Sequence, residues 1–340
     1  MSALIVTAGR LVVPGKGLLA ADESPATIGR RFAAVGVENT EEHRRAYRQM
    51  LLTTKGTAAF ISGVILHDET IRQNTDDGTP LPRLLEREGM IVGIKVDEGA
   101  KPLAGSPGEL VTEGLDGLRA RLGGYRQLGA QFAKWRAVIQ IAPGLPTPTC
   151  VEANAEALAR YAALCQENGL VPIVEPEVLL DGDHTIERCF EVTEAVQHAV
   201  FAALSRHHVD LEATLLKPSM VLSGNRCAQQ AGVTEVATAT LRCLRRTVPA
   251  AVPGILFLSG GQPAQAATAH LNAMNSLPGP RPWTLSFSYS RALQEAPLET
   301  WKGDASRVAA AQNAFYHRAK CNSAAATGRY TTALEGETAG

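Results

Sequence analysis

The chain has no excess of charge of either sign: 33 Lys and Arg stand against 34 Asp and Glu. That removes any bulk electrostatic argument for binding nucleic acid or a membrane surface. It leaves room for local basic pockets that take small anions. No Cys-x-x-Cys pair is present; Cys150, Cys165, Cys189, Cys227, Cys243 and Cys321 are scattered. This excludes the usual zinc ribbon and dithiol redox motif and favours a reducing compartment, with cysteine serving as a small hydrophobe. No apolar run reaches the roughly 18 residues a membrane span needs. The apolar run near the start has no basic segment before it and is broken by Gly9, Arg10 and Pro14, which is poor for a signal peptide. The expectation is a soluble, cytoplasmic protein. The eight histidines include no His-x-x-x-His pair and no carboxylate–histidine cluster, so no metal site is expected and His67, His184 and His207-His208 read as structural. There is no internal sequence repeat and no interdomain linker.

What the sequence does contain is a repeated pattern. Apolar, β-rich runs recur at 17–22, 60–67, 90–97, 132–141, 171–179, 213–220, 254–261 and 284–290. Helical stripes fill the gaps: 40–53, 151–168 (Leu158, Tyr161, Ala162, Cys165), 186–208 and 234–248. Strand starts about 30 to 45 residues apart imply βαβ units and a parallel sheet. Eight such units predict an α/β, single-domain (β/α)₈ TIM barrel over 1–326, its last helix at 304–326. A polar tail at 327–340 has little to bury and is expected to be mobile.

Polar residues interrupt the strands mostly near their C-terminal ends, the face on which such barrels build active sites. Asp22 ends the first run. Lys95 and Asp97 share a face, as do Lys134 with Arg136 and Glu175 with Glu177, since residues two apart on a strand point the same way. Val96, Trp135 and Pro176 then face the helix layer. Any one of these charges could be a solvated rim residue, but burying the whole set without a task is costly. Lys217, in an apolar strand before Pro218, is the sharpest candidate. Burial and neighbouring cations such as Lys134 disfavour an ammonium, and a neutral lysine can form an imine with a carbonyl; the alternative is a structural lysine paired with Glu175 or Glu177. Ser259-Gly260-Gly261 lets backbone N–H groups turn towards an anion, with Arg291 as a charged fork, although a tight turn would use the same glycines. Ser24 and Thr27, with Arg31 and Lys95, form a second candidate anion site, or simply a helix cap. Two anion sites flanking a reactive lysine suggest a sugar bisphosphate.

These residues lie in stretches that resemble class I fructose-1,6-bisphosphate aldolases over roughly 14–330. They include GKGLLAADES (15–24), GVILHDET (63–70), VGIKVDEG (92–99), FAKWR (132–136), NGLVPIVEPEVL (168–179), TLLKPSM (214–220), RRTVPAAVPGILFLSGGQ (245–262) and FSYSRALQ (287–294). The resemblance implies a Schiff base on Lys217 and Glu175 as acid and base for the imine. Asp22 would take the proton from the hydroxyl at carbon 4, Lys134 would keep the pocket positive, and Glu177 would position or depress neighbouring lysines. Ser259, Gly260, Gly261, Ser288 and Arg291 are implied for the 1-phosphate, and Ser24, Thr27 and Lys95 for the 6-phosphate with Arg31 nearby. It further implies triose phosphate products, no metal or other cofactor, and a homo-oligomer, commonly a tetramer.

Three departures stand out. Ser290 replaces the family's usual glycine, Thr27 a serine, and Pro25 stiffens its loop. The end reads GETAG where eukaryotic members carry a tyrosine, so slower enamine protonation, or a substitute donor, and a smaller preference for the bisphosphate over fructose 1-phosphate are expected. The competing readings are another Schiff-base barrel enzyme, such as a transaldolase or deoxyribose-phosphate aldolase, and a non-catalytic phosphosugar-binding scaffold.

Overall fold

In the computed structural model, which describes residues 2–336, eight parallel strands close on themselves in chain order. They are β1 (Gly17–Ala21), β2 (Ile61–Leu66), β3 (Ile91–Lys95), β4 (Phe132–Ile139), β5 (Val171–Val178), β6 (Leu215–Leu216), β7 (Gly254–Phe257) and β8 (Thr284–Tyr289), with β8 returning to pair with β1. The expected α/β barrel is therefore the fold, in a single domain. Helices follow the strands; Pro148–Glu167, Ile186–Arg206, Val233–Thr247 and Ala264–Ser276 succeed β4 to β7 in turn. Their starts are written locally. Thr40, Thr147 and Thr185 each accept a hydrogen bond from the backbone N–H three residues on, satisfying a donor the helix itself leaves open. The helix expected from 151 begins at Pro148, because proline's fixed φ and missing N–H suit a first turn.

Strand alternation sorts the side chains. On β4, Trp135 points outward and packs on Tyr161 of the following helix, ring centroids 5.5 Å apart, while Phe132 points into the barrel. An added Cβ at Gly93 would lie 2.2 Å from the Phe132 ring, so the absent side chain there makes room for it. The interior at the N-terminal end of the strands is a closed apolar cluster. It joins Leu18, Ile65, Ile91, Phe132, Ile173 and Leu256 to Ala8 and Leu11. Those last two come from a helix, Ala3–Leu11, formed by the apolar run that sequence reading left without a role. It plugs the bottom of the barrel, and Ser62 Oγ ties it down by donating to Leu11 O (2.7 Å).

Two expectations need adjustment. β6 is short because Pro218 has no N–H to continue the ladder; Lys217 N still donates to Val174 O (2.8 Å). The segment 327–336, expected to be mobile, is docked. Tyr330 is buried, its hydroxyl donates to Glu335 (2.8 Å), and a 3-10 turn forms at Thr332–Gly336. The tail's last residues, 337–340, lie outside the described ones. Among the described residues no helix is long and apolar enough to cross a membrane.

Candidate active site

At the other end of the same strands the inward positions turn charged. Asp22, Lys134, Glu175, Glu177 and Lys217 are all at most 8% exposed, yet all line one open cavity of about 1430 Å³. Isolated charges could not be held there, so their arrangement is one of opposites. Lys217 Nζ lies 3.2 Å from Glu175 Oε1. Lys134 Nζ lies 3.3 Å from Glu175 Oε2, 2.7 Å from Asp22 Oδ2 and 3.8 Å from Asp97 Oδ2. Asp97 Oδ1 in turn lies 2.7 Å from Lys95 Nζ. Lysine and acid thus alternate along Lys217–Glu175–Lys134–Asp97–Lys95, with Asp22 branching from Lys134. Burial opposes ionisation of Asp22, but Lys134 and then Lys217 outweigh it and hold the carboxyl well below the ordinary range. Burial likewise opposes the Lys134 ammonium, and Asp22, Glu175 and Asp97 together raise it above an ordinary lysine. The pairing thus favours the Lys134 ammonium and the Asp22 carboxylate. Glu175 Oε2, though close to Lys134, accepts no aligned hydrogen bond among the described residues.

The phosphate candidates separate into two groups. Ser259-Gly260-Gly261 follows β7 with positive φ at both glycines, 61° and 95°. The conformation needs glycine, as both readings of the motif require. The Arg291 guanidinium packs against Gly261, 3.1 Å from where a Cβ would stand. Burial lowers the Arg291 pKa, with Arg31 adding to the effect. Ser288 Oγ, from β8, is buried without a hydrogen-bond partner among the described residues. Ser24, which also lines the cavity, caps the helix Pro25–Ala34 by accepting from Thr27 N (3.3 Å) and donates to Thr27 Oγ1 (3.2 Å). Capping and cavity lining thus coexist at this end, where Lys95 also stands.

Two assignments change. Arg31 was grouped with Ser24 and Lys95, but its guanidinium donates to Ser290 Oγ (3.0 Å) and pairs with Glu23 (2.5 Å), which places it beside Arg291. The contact is possible because β8 closes the barrel by pairing with β1, which sets the segment after β1 beside the segment after β8. Glu177 was expected to act on lysines; its ion partner is Arg136 on the adjacent β4, although the register sets Arg136 opposite Glu175 and Glu177 opposite Val138, so the long guanidinium reaches two residues along the strand.

Sequence reasoning missed the support under this site. Glu23 is buried and gripped by Arg48 (2.5 Å) and Arg31, and accepts from Gln294 Nε2 (2.8 Å) and from Ser290 Oγ. Burial alone would raise its pKa, but Arg48 and Arg31 lower it. Three separate chain segments meet here, 23–31, Arg48 and 290–294, so nothing local signals the cluster. His67, read as isolated, lines the cavity at the end of β2. Its period-2 alignment with Ile65 could have shown this.

Known proteins supply the remaining comparison. Residues 3–340 match the family model described as glycolytic fructose-bisphosphate aldolase class-I. The chain is 60% identical to a probable fructose-bisphosphate aldolase class 1 of Xanthomonas campestris, over 96% of this chain and 98% of that protein. It is 54% identical to the cytosolic fructose-bisphosphate aldolase 5 of Arabidopsis thaliana, over 99% and 94%. The solved aldolase of Plasmodium falciparum, in complex with TRAP and a small-molecule inhibitor, superposes with a TM-score of 0.95 at 49% identity, covering 96% of this chain and 95% of that one.

Proposed function

The chain belongs to the class I fructose-bisphosphate aldolase family, and from that premise we propose that it reversibly cleaves fructose 1,6-bisphosphate into dihydroxyacetone phosphate and glyceraldehyde 3-phosphate through an imine on Lys217. The observation that carries this reading is the buried chain Lys217–Glu175–Lys134–Asp22. It supplies a nucleophile, a proton carrier, a cation and a base in one line.

Lys217 attacks the ketone at carbon 2. Glu175 takes the proton that the Lys217 amine gives up as it attacks and delivers it to the departing hydroxyl as the carbinolamine loses water. The protonated imine is now an electron sink. Asp22, kept ionised by Lys134, takes the proton from the hydroxyl at carbon 4; the carbon 3–carbon 4 bond breaks and its electron pair moves into the imine, forming an enamine. Glyceraldehyde 3-phosphate leaves. Protonation at carbon 3 and addition of water to the imine release dihydroxyacetone phosphate and restore the amine. Lys134 keeps Asp22 and Glu175 in register and supplies positive potential throughout.

Ser259, Gly260, Gly261, Ser288 and Arg291 grip the 1-phosphate in this reading, joined by Arg31. Ser24, Thr27 and Lys95 grip the 6-phosphate. The unpartnered Ser288 hydroxyl supports the first grip. Glu177 acts through Arg136. A homotetramer and a cytoplasmic location are part of the proposal; family membership supports the first, and the cytosolic designation of the Arabidopsis relative the second. Borohydride reduction in the presence of dihydroxyacetone phosphate, followed by peptide mapping, tests the central step. Label on Lys217 is expected, and label on any other lysine overturns the assignment. A panel including transaldolase and deoxyribose-phosphate aldolase substrates separates the related imine chemistries.

A further inference from the structure

Away from the mouth, the helix Val308–Ala325 presents His317 and Cys321 one turn apart, and the docked C-terminal turn brings Glu335 to meet them. His317 Nε2 lies 3.7 Å from Cys321 Sγ and 3.8 Å from Glu335 Oε2. One ligand atom from each residue lies within 4.8 Å of the others. Around a tetrahedral zinc, with bonds of about 2.3 Å to sulfur and about 2.0–2.2 Å to nitrogen and oxygen, the edges between ligand atoms measure about 3.4–3.6 Å. Two edges of this triangle are already within a few tenths of an ångström of that size. The ligand types also suit the ion: an imidazole, a thiolate and a carboxylate.

We propose that His317, Cys321 and Glu335 form a site for a zinc-class divalent cation that clasps the C-terminal segment to the last helix. The histidine-spacing rule applied to the sequence sought His-x-x-x-His; His-x-x-x-Cys spans the same helical turn, and the third ligand comes from a segment the sequence does not mark.

Three features support a built site. Cys321 is buried, while His317 and Glu335 are partly exposed, with side chains 18% and 16% accessible, so an ion can enter. The carboxylate is oriented by partners that leave it lone pairs to spare: Tyr330 donates to Oε1 (2.8 Å) and Arg318 pairs with Oε2. Hydrogen-bonded ligands of this kind are the usual support of a metal centre. The charges also close. A dication with one thiolate and one carboxylate is neutral, so Arg318 faces no net repulsion. Binding displaces the Cys321 thiol proton to solvent, and water can take the fourth position. The role is structural, at a distance from the imine chemistry, which needs no metal.

The test uses the full-length reduced protein, stripped with chelator and titrated with cobalt as a spectroscopic stand-in. One equivalent should bind with a thiolate-to-cobalt absorption band, and zinc should abolish the band by displacement. Cys321→Ser should lack the band. His317→Ala, at a partly exposed position and so less threatening to folding, should bind at least tenfold more weakly. Tyr330→Phe should weaken binding by about 10–100-fold by releasing the carboxylate. Bound zinc should slow tryptic cleavage after the exposed Arg329. The proposal is overturned if the wild type shows no band, or if the band persists unchanged in Cys321→Ser and His317→Ala. Metal that binds without protecting Arg329 overturns the clasp.

Discussion

The floor and the mouth of this barrel are built from the same eight strands and held together by opposite means. At the floor, Phe132, Leu18, Ile91 and their neighbours fill space against a plugging helix. Stability there comes from apolar burial and shape, and any misfit leaves a cavity or a clash. At the mouth, three acids and two lysines are buried against one another, with the half-buried Lys95 at the edge. Such pairs recover little net stability after their desolvation. Two residues along a strand separate the regimes: Phe132 and Lys134 share a face of β4. The comparison teaches that the floor can be judged by volume, whereas the mouth has to be judged by what its charges do to a ligand.

Four changes would break or sharpen that contrast. The largest effect is expected from Lys217→Met, which should abolish turnover and borohydride trapping while leaving the far-ultraviolet circular dichroism of the folded barrel unchanged. Glu175→Gln should reduce kcat by about 10²–10⁴-fold, the usual contribution of a proton-transfer group, as measured by steady-state cleavage of fructose 1,6-bisphosphate. A reduction smaller than tenfold would remove Glu175 from its role. Phe132→Ala should do the reverse. It is expected to cost about 3–5 kcal/mol of stability in a denaturant titration, with kcat/KM nearly unchanged at low temperature.

The fourth and smallest effect concerns pH. His270 is buried beside Gln262, with Nδ1 2.7 Å from Oε1, and burial pushes its pKa down to about 4. Its folded value is below the unfolded value of about 6.5, so the unfolded chain binds the proton more readily. The neutral ring contributes full stability above about pH 6.5, and that contribution is lost as pH falls towards 4, by about 3 kcal/mol in all. Urea midpoints should therefore fall between pH 7 and 5, and His270→Gln should flatten the slope. Gln262 also donates to Ser259 O (3.1 Å), which links this histidine to the Ser-Gly-Gly turn.

Much of this was legible in the sequence because it depends on period. Strand runs and helical stripes repeat at 2 and 3.6 residues, and eight of them close a barrel. Lys217, Glu175 and Asp22 were visible as charges where apolar residues belong. Arg31 was grouped only with its sequence neighbour Ser24 because its contact with Ser290, 259 residues on, depends on β8 closing the barrel beside β1. Glu177 was given lysine neighbours because its sequence does not show which side chain the next strand offers. The Glu23–Arg48–Gln294 cluster was missed altogether, since its members are 25 and 271 residues apart. The N-terminal helix was read only as a poor signal peptide, although its apolar face fills the barrel floor.

By itself, then, the amino-acid order determined the barrel and marked Lys217, Glu175 and Asp22 as charges near the C-terminal ends of its strands, because each is encoded in local alternation and in the type of residue that breaks it. Only the tertiary structure decided which charge pairs with which, which hydroxyls stay unpartnered, and how His317, Cys321 and Glu335 come within reach of one ion. Electrostatic and coordination geometry depends on distances through space, and those distances exist only after the chain has closed.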